Sequence, residues 1–81
     1  MKPVSQSEEM LRAVIAKNLK FLRKKHKMTQ SELAQHIGST QQSIKQYEIC
    51  QRTMNVPTLL SISKTLEESP DEILKGWEKV F

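Results

Sequence analysis

Apolar residues recur three or four positions apart along most of this chain, and polar residues with Pro or Gly separate the segments. This spacing places apolar side chains on one face of an α-helix. We expect a first helix from about Glu8 to Lys25, started by Ser5 with Glu8 or by Ser7 alone. Its apolar stripe consists of Leu11, Ile15, Leu19 and Leu22.

Two further helices are predicted in the C-terminal half of the chain. Pro57 fits the first turn of a helix over roughly residues 58–66. Ser69, Pro70 and Glu72 combine a cap, a proline at the first helical position and the acidic residue of a capping box, so a fifth helix follows. The inward positions of these helices are Leu59, Ile62, Leu66, Ile73 and Leu74.

Residues 29–48 predict two short helices joined by a tight turn. Thr29 and Glu32 have the spacing of a capping box, in which each side chain satisfies a backbone N–H group. Leu33, Ala34 and Ile37 give the first of these helices an apolar face, and Ala34 is small enough to let the two helices approach. Gly38 follows, where positive φ is cheapest for glycine.

The second of these short helices starts from a cap at Ser39 or Thr40. Ile44 and Tyr47 face inward by their spacing, and a polar face lies opposite them. That polar face consists of Gln41, Gln42, Lys45 and Gln46.

The chain has 81 residues and 37% apolar content, which suits one small domain with a modest core. No strand alternation is long enough to predict a sheet, so the expected fold class is all-α. We divide the chain into a flexible N-terminal lead (1–7), a helix-turn-helix domain (8–76) and an apolar C-terminal tail (77–81).

The formal net charge is +4 and the sequence pI is about 9.4, which favours an anionic partner. Many small domains are mildly basic, so charge alone is a weak indication. Five basic residues, RKKHK at 23–27, end the first predicted helix. They fit either a solvated helix end that suits the helix dipole or a surface beside a phosphate backbone.

Several functional classes are not expected from this sequence. A single cysteine, Cys50, rules out an intramolecular disulfide and a Cys-rich metal site, and it suits a reducing cytoplasm. His26 and His36 lack metal-ligand spacing and are expected at the surface. We find no catalytic triad, phosphate-binding loop or apolar run of membrane-spanning length. We therefore expect a cytoplasmic protein that is not an enzyme and has no cofactor, metal, membrane partner or small-molecule ligand.

Several short motifs follow one another along the chain. They are Leu22-Arg23, Met28-Thr29-Gln30, Glu32-Leu33-Ala34, Gly38, Ile44, Glu48 and, at the far end, the pattern Leu59…Ile62…Leu66…Ser69-Pro70-Asp71-Glu72-Ile73-Leu74. From about Ile15 to Gly76 the sequence therefore resembles the five-helix DNA-binding domain of phage lambda-type repressors and Cro proteins, the Xre-like family. The segment from Thr40 to Ile44, with Gln46, is most similar to the recognition helices of the glutamine-reading lambdoid phage repressors.

The polar face of this helix has suitable chemistry for reading bases. A glutamine amide can pair with N6 and N7 of adenine in the major groove, and Lys45 can reach guanine or a phosphate. Gln41 and Gln42 lie at the helix N-terminus, and Gln46 lies about one turn further on. Glutamines are also ordinary exposed residues, and it is their place after a helix-turn-helix signature that favours base contact.

The resemblance also implies roles for residues around this helix. It implies contacts to the DNA backbone from Gln30, Thr40, Ser43 and Arg52. It further implies a structural ion pair between Arg23 and Glu48, which links the first helix to the end of the third. Cys50 stands where relatives usually carry glycine. We interpret it as a packed thiol rather than a redox sensor, because no partner cysteine exists.

The resemblance implies a homodimer on a two-fold operator. Without a separate oligomerisation domain, we expect this dimer to be weak in solution and to be completed on DNA. The candidate dimer contacts are Met54, Val56, Trp77, Val80 and Phe81. Trp77 fits equally well as a residue that closes the core over the first helix.

These features together predict a sequence-specific transcriptional regulator, a repressor that binds double-stranded DNA at a palindromic operator. Two alternatives share the domain, namely the antitoxin of a toxin–antitoxin pair and the controller of a restriction–modification operon. An alternative of a different class is a protein-interaction adaptor without DNA binding.

Overall fold

The computed structural model describes residues 4–81, and the side chains of that range from residue 6 onward. Five α-helices and a terminal 3₁₀ turn follow one another without any strand in this range. The elements are α1 (Val4–Lys25), α2 (Gln30–His36), α3 (Gln41–Glu48), α4 (Val56–Leu66), α5 (Pro70–Leu74) and η1 (Trp77–Lys79). The all-α fold class with five helices is confirmed. None of the helices in residues 4–81 has the length and apolarity needed to cross a membrane.

A single core is built from all five α-helices. α1 packs against α3 and α5, α2 packs against α3 and α4, and α4 packs against α5. Most of the apolar positions expected from the helical spacing form this core, because each amphipathic helix turns its apolar face to the others. Leu11, Ile37 and Leu74 were also expected inside, and they are only partly buried against the core. The core residues are Ile15, Leu19, Leu22, Leu33, Ala34, Ile44, Tyr47, Met54, Leu59, Ile62, Leu66 and Ile73.

The beginning of α2 follows the predicted capping box. The Thr29 hydroxyl accepts a hydrogen bond from the Glu32 N–H at 3.0 Å, and the Thr29 N–H donates to the Glu32 carboxylate at 2.9 Å. These two bonds from Thr29 lower the pKa of Glu32 below its usual range. At α3 the cap is Thr40 and not Ser39, since the Thr40 hydroxyl accepts from the Ser43 N–H.

The beginnings of α4 and α5 differ from the sequence expectation. α4 begins at Val56, two residues before the predicted start, because the Asn55 side chain accepts from the Thr58 N–H at 2.9 Å. α5 begins at Pro70 as expected, but the predicted capping box is wrong. The Ser69 side chain makes no capping bond, and the Glu72 N–H donates to the Ser69 carbonyl instead.

α1 begins at Val4, earlier than the predicted start at Glu8, so part of the segment assigned to a flexible lead is helical. Residues 1–3 of that lead lie outside the described residues. Ser7 does not cap the helix, since it lies inside it and is 2% exposed.

Contacts to a distant loop hold this N-terminal part of α1. The Thr53 hydroxyl donates to the Glu8 carboxylate at 3.1 Å and accepts from Arg12 Nε at 2.6 Å. Thr53 lies 41 residues beyond Arg12, so local sequence patterns contain no sign of this network.

Four helices end in the same turn, with one residue in the left-handed backbone region. These residues are Lys27 (φ 56°), Gly38 (φ 66°), Cys50 (φ 64°) and Glu67 (φ 56°). In each case the N–H of the next residue bonds a carbonyl five positions earlier, which is the Schellman pattern. Only one of the four is glycine, so three side chains occupy a conformation that costs roughly 1–2 kcal/mol without glycine.

Cys50 is exposed, and the interpretation of a packed thiol is wrong. Its position immediately after the C-cap of α3 turns the side chain away from the core. The backbone still makes the left-handed turn that glycine would make there.

The C-terminal tail contributes one buried side chain to the core, and this is Val80 and not Trp77. Gly76, at φ 101°, ends the α5 segment, and the following 3₁₀ turn places Val80 in the core at 2% exposed. Trp77 is 45% exposed, so the expectation that it closes the core is wrong. Met54 is 8% exposed. Met54 and Val80 are therefore wrong as candidate dimer contacts, because the chain itself already buries them.

Glu68 joins the end of α1 to the turn between α4 and α5. Its carboxylate is bonded by His26 Nε2 at 2.6 Å and by Lys25 Nζ at 3.1 Å. The hydrogen bond from His26, followed by that from Lys25, lowers the pKa of Glu68 below its usual range.

We expect Cys50→Gly to raise the free energy of unfolding by roughly 1 kcal/mol. Glycine relieves the left-handed strain, and the exposed thiol contributes no packing. Urea unfolding measures the difference. Gln51→Gly is the control, since Gln51 has no positive φ and glycine there only adds unfolded-state entropy. A destabilised Cys50→Gly variant would contradict the strain argument.

We expect the Glu68 contacts to stabilise the fold at pH values above the unfolded-state pKa of a glutamate, about 4.3. Because the folded-state pKa is lowered, this stability is lost as pH falls through the folded-state value. The measurement is urea unfolding of wild type and Glu68→Gln between neutral and acid pH. The two curves should converge at low pH. Glu67→Gln is the matched neighbour, and an equal pH effect there would exclude a specific role for Glu68.

Candidate nucleic-acid interface

α3 lies with one face in the core and the other at the surface. Ile44 is 0% exposed and Tyr47 is 4% exposed, so these two side chains anchor the helix against the rest of the domain. On the other side Gln41, Gln42 and Lys45 are exposed, and Gln46 is partly buried. The structure thus brings the four residues predicted to contact bases onto one helix, with three of them open to a partner.

The hydroxyl groups of Thr40 and Ser43 close the N-terminal turn of α3. The Ser43 N–H donates to the Thr40 hydroxyl at 3.2 Å, and the two hydroxyl oxygens are 3.1 Å apart. Thr40 is exposed and Ser43 is partly buried. Both residues lie beside the end of the helix at which backbone N–H groups lack partners, which is the end that favours an anion.

An ion pair connects the far end of α3 to α1. Arg23 Nε donates to one oxygen of the Glu48 carboxylate at 2.6 Å, and Nη2 donates to the other at 3.0 Å. The side chains are only 10% and 3% exposed. The hydrogen bond to Glu48 raises the pKa of Arg23 above its ordinary value, so the guanidinium stays charged.

The same carboxylate reaches the beginning of α2. Gln30 Nε2 donates to Glu48 at 3.2 Å, and Arg23 Nη1 donates to the carbonyl of Met28 at 2.7 Å. Gln30 was expected at the DNA backbone, and this bond to Glu48 uses one of the two N–H donors of its amide. The pair therefore fixes the orientation of α2 relative to α3.

The basic run at 23–27 is divided between two roles. Arg23 pairs with Glu48, and Lys25 and His26 pair with Glu68. Lys24 and Lys27 are exposed and form no ion pair with any residue from 4 to 81 that the structure describes. Part of the run is thus structural, and the remainder offers uncompensated positive charge just before α2.

Arg52, in the loop after α3, returns to that helix. Its Nη1 donates to the Ser43 hydroxyl at 3.0 Å, and its guanidinium carbon lies 5.5 Å from the centre of the Tyr47 ring. The arginine is exposed, so it is held in place while remaining accessible.

The sequence analysis missed the polar contacts that join distant segments. Asn18 Nδ2 donates to the carbonyls of Ile73 and Lys75 at 2.8 and 3.0 Å, which ties α1 to the end of α5. The cap of α4 at Asn55 had a local signal, an asparagine shortly before a proline at the start of an apolar pattern. Asn18 had none, because its partners are backbone atoms 55 and 57 residues away.

No group of three His, Cys, Asp or Glu side chains in the described part of the chain is arranged to hold a metal ion. The surface around α3 carries amide, hydroxyl and cationic groups, which bind nucleic acid by hydrogen bonds and charge.

Two short helices joined by a glycine-containing turn, inside a five-helix domain, define a helix-turn-helix fold. Residues 19–73 match the helix-turn-helix family, and the chain belongs to this family, in its lambda-repressor-like, Xre-type branch. The resemblance inferred from the sequence motifs is confirmed.

Two relatives share this region. The "Uncharacterized HTH-type transcriptional regulator YqaE" of Bacillus subtilis (strain 168) is 40% identical over 70 residues, 84% of this chain and 60% of that protein. "Repressor protein C2" of Salmonella phage P22 is 35% identical over 63 residues, 78% of this chain and 29% of that protein. This chain thus spans 60% or less of the length of either relative.

The fold is also similar to a solved structure, the "hypothetical transcription factor NHTF from Neisseria". The TM-score is 0.77 at 22% identity, and the match covers 99% of this chain and 94% of the other. This likeness shows a shared fold.

We expect Arg23→Leu to destabilise the protein by roughly 3–5 kcal/mol, because it leaves the Glu48 carboxylate buried without its cation. Urea unfolding measures this loss. The double variant Arg23→Leu/Glu48→Leu should recover much of it, since no bare charge remains. Lys24→Leu is the exposed neighbouring control. A loss below 1 kcal/mol for Arg23→Leu, as for an exposed pair, would contradict a structural role.

Proposed function

We propose that this protein is a sequence-specific DNA-binding transcriptional regulator that inserts α3 into the major groove and acts as a repressor. One observation carries the proposal. α3, the second helix of the helix-turn-helix, exposes a face of amide groups and one cation. Its other face is fixed in the core by Ile44 and Tyr47. A rigid polar helix of this kind has the dimensions and groups that major-groove readout requires.

Gln41, Gln42 and Gln46 are the proposed base-reading residues. Each amide offers an acceptor and two donors, which matches the adenine edge in the major groove. Lys45 lies between them and supplies a cation for guanine or a phosphate. Three amides favour a site rich in A·T pairs, and the lysine adds affinity that depends less on sequence.

Contacts to the DNA backbone are proposed for Thr40, Ser43, Gln30 and Arg52, which surround the ends of α2 and α3. The exposed lysines at 24 and 27 extend the same surface. The formal net charge of +4 supports this assignment, since phosphate neutralisation supplies most of the sequence-independent affinity.

We further propose a homodimer that binds a two-fold operator, with half-sites about one DNA turn apart. Of the candidate contacts, Val56, Trp77 and Phe81 are 65%, 45% and 63% exposed and are available to a second copy. The ring centres of Trp77 and Phe81 are 6.5 Å apart, so these two side chains form one apolar patch. The name of the phage relative, a repressor, supports repression as the sign of regulation.

The test is selection of bound sequences from a random duplex pool by wild type and by Gln41→Ala/Gln42→Ala. We expect wild type to enrich a two-fold site that contains adenines. The double variant should lose that enrichment while it retains weak binding, because its phosphate contacts remain.

Gln35→Ala, an exposed glutamine on α2, is the matched control and should enrich the wild-type site. Circular dichroism of each variant verifies that the helices are intact. Enrichment of no sequence by wild type at any salt concentration would overturn DNA recognition and favour a protein-interaction adaptor. The same site from the double variant would place base recognition outside these two glutamines.

A further inference from the structure

Arg52 is immobilised by two residues of α3 before any partner is present. Its Nη1 bonds the Ser43 hydroxyl at 3.0 Å, and its guanidinium carbon lies 5.5 Å from the Tyr47 ring centre, within the range of a cation–π contact. Tyr47 is 4% exposed and Arg52 is exposed, so a buried ring supports an exposed cation. Among the described residues, Ser43 is the one hydrogen-bond acceptor of this guanidinium, so its other N–H donors can bind a further acceptor.

A surface cavity of about 240 Å³ opens beside this arginine. Its walls come from the turn between α2 and α3, from Tyr47 and Arg52, and from the first turn of α4. The polar walls include Ser39, Asn55, Thr58 and Ser61, and no acidic residue is among the nine lining residues. One fixed cation with hydroxyl and amide neighbours is a suitable environment for an anion.

We propose that Ser43 and Tyr47 are positioning residues, which hold the Arg52 guanidinium at this cavity to bind a backbone phosphate of DNA. This inference rests on the proposed DNA-binding function and assigns a different role to Ser43, which acts through Arg52 and makes no essential contact of its own.

The hydrogen-bond geometry supports this role for Ser43. Its hydroxyl oxygen has two acceptor positions, and it lies 3.0 Å from Arg52 Nη1 and 3.1 Å from the Thr40 hydroxyl. Both acceptor positions are therefore engaged by neighbouring side chains, Thr40 and Arg52, and a direct contact to phosphate could come only from the Ser43 O–H. Fixing an arginine in advance removes part of the side-chain ordering cost that binding would otherwise carry.

Binding of a fluorescent random-sequence duplex tests the proposal over a series of salt concentrations. This probe reports the phosphate contacts alone and does not need a known operator. We expect Arg52→Ala to weaken binding and to reduce the slope of log K against log salt by about one. Ser43→Ala should weaken binding roughly two- to tenfold, the range for losing the preorganisation of one side chain.

A double-variant cycle separates positioning from direct contact. If Ser43 acts through Arg52, Ser43→Ala has no further effect in the Arg52→Ala protein. Tyr47→Leu should likewise have no further effect on binding in the Arg52→Ala protein. Circular dichroism verifies that Tyr47→Leu is folded. If Tyr47→Leu unfolds, the Ser43→Ala cycle alone tests the positioning role. Gln51→Ala, a loop neighbour with no assigned contact, is the control that should bind like wild type.

The free protein gives a readout that does not involve DNA. The side-chain proton resonances of Arg52 should show an upfield ring-current shift from Tyr47, and Ser43→Ala should reduce it. Absence of that shift in wild type would overturn the positioning role.

Two failures remain distinct in this design. If wild type binds no duplex at low salt, the proposed function is overturned together with this inference. If wild type binds but Ser43→Ala weakens binding equally with and without Arg52, or has no effect in wild type, only the positioning role is overturned.

Discussion

The bidentate pair between Arg23 and Glu48 is the interaction on which the helix-turn-helix depends. A carboxylate that is 3% exposed must have a cation and further donors, and Arg23 with Gln30 supplies both. Through this one carboxylate the end of α1, the beginning of α2 and the end of α3 are held together. The exposed face of α3 therefore has a fixed direction relative to the rest of the domain, which is the condition for a rigid reading surface.

Repeated use of one helix ending gives the domain its compact course. Each Schellman turn ends a helix and redirects the chain within a few residues, so one long and four short helices enclose a core in an 81-residue chain. Non-glycine residues at three of these turns carry conformational strain, and the packing of the helices compensates for it. Cys50 is the clearest case, since its side chain contributes nothing to the core and its backbone follows the same turn as Gly38.

The basic side chains of this protein fall into two groups, those paired with carboxylates of the same chain and those that remain exposed. Arg23 and Lys25 are paired with carboxylates of the same chain, so these two cations serve the fold. Lys24, Lys27 and Lys45 remain exposed around α2 and α3. A count of basic residues overstates the charge available to DNA, because internal pairs are already neutralised. Exposed lysines also lie on other elements, at Lys17, Lys20, Lys64, Lys75 and Lys79, so the helix-turn-helix carries only part of the uncompensated charge.

The sequence by itself determined the helical fold class, most core positions within the helices, the capping box at Thr29 and the polar face of α3. These features depend on residues within about one helical turn of each other. The tertiary structure decided which residues meet across the chain. It placed Val80 instead of Trp77 in the core, linked Glu8 and Arg12 of α1 to Thr53, and bonded Asn18 to the end of α5. Arg52 is the same case within the site: its stacking on Tyr47 and its bond to Ser43 depend on the path of a loop. Such contacts arise from the packing of whole helices, and no local periodicity records them.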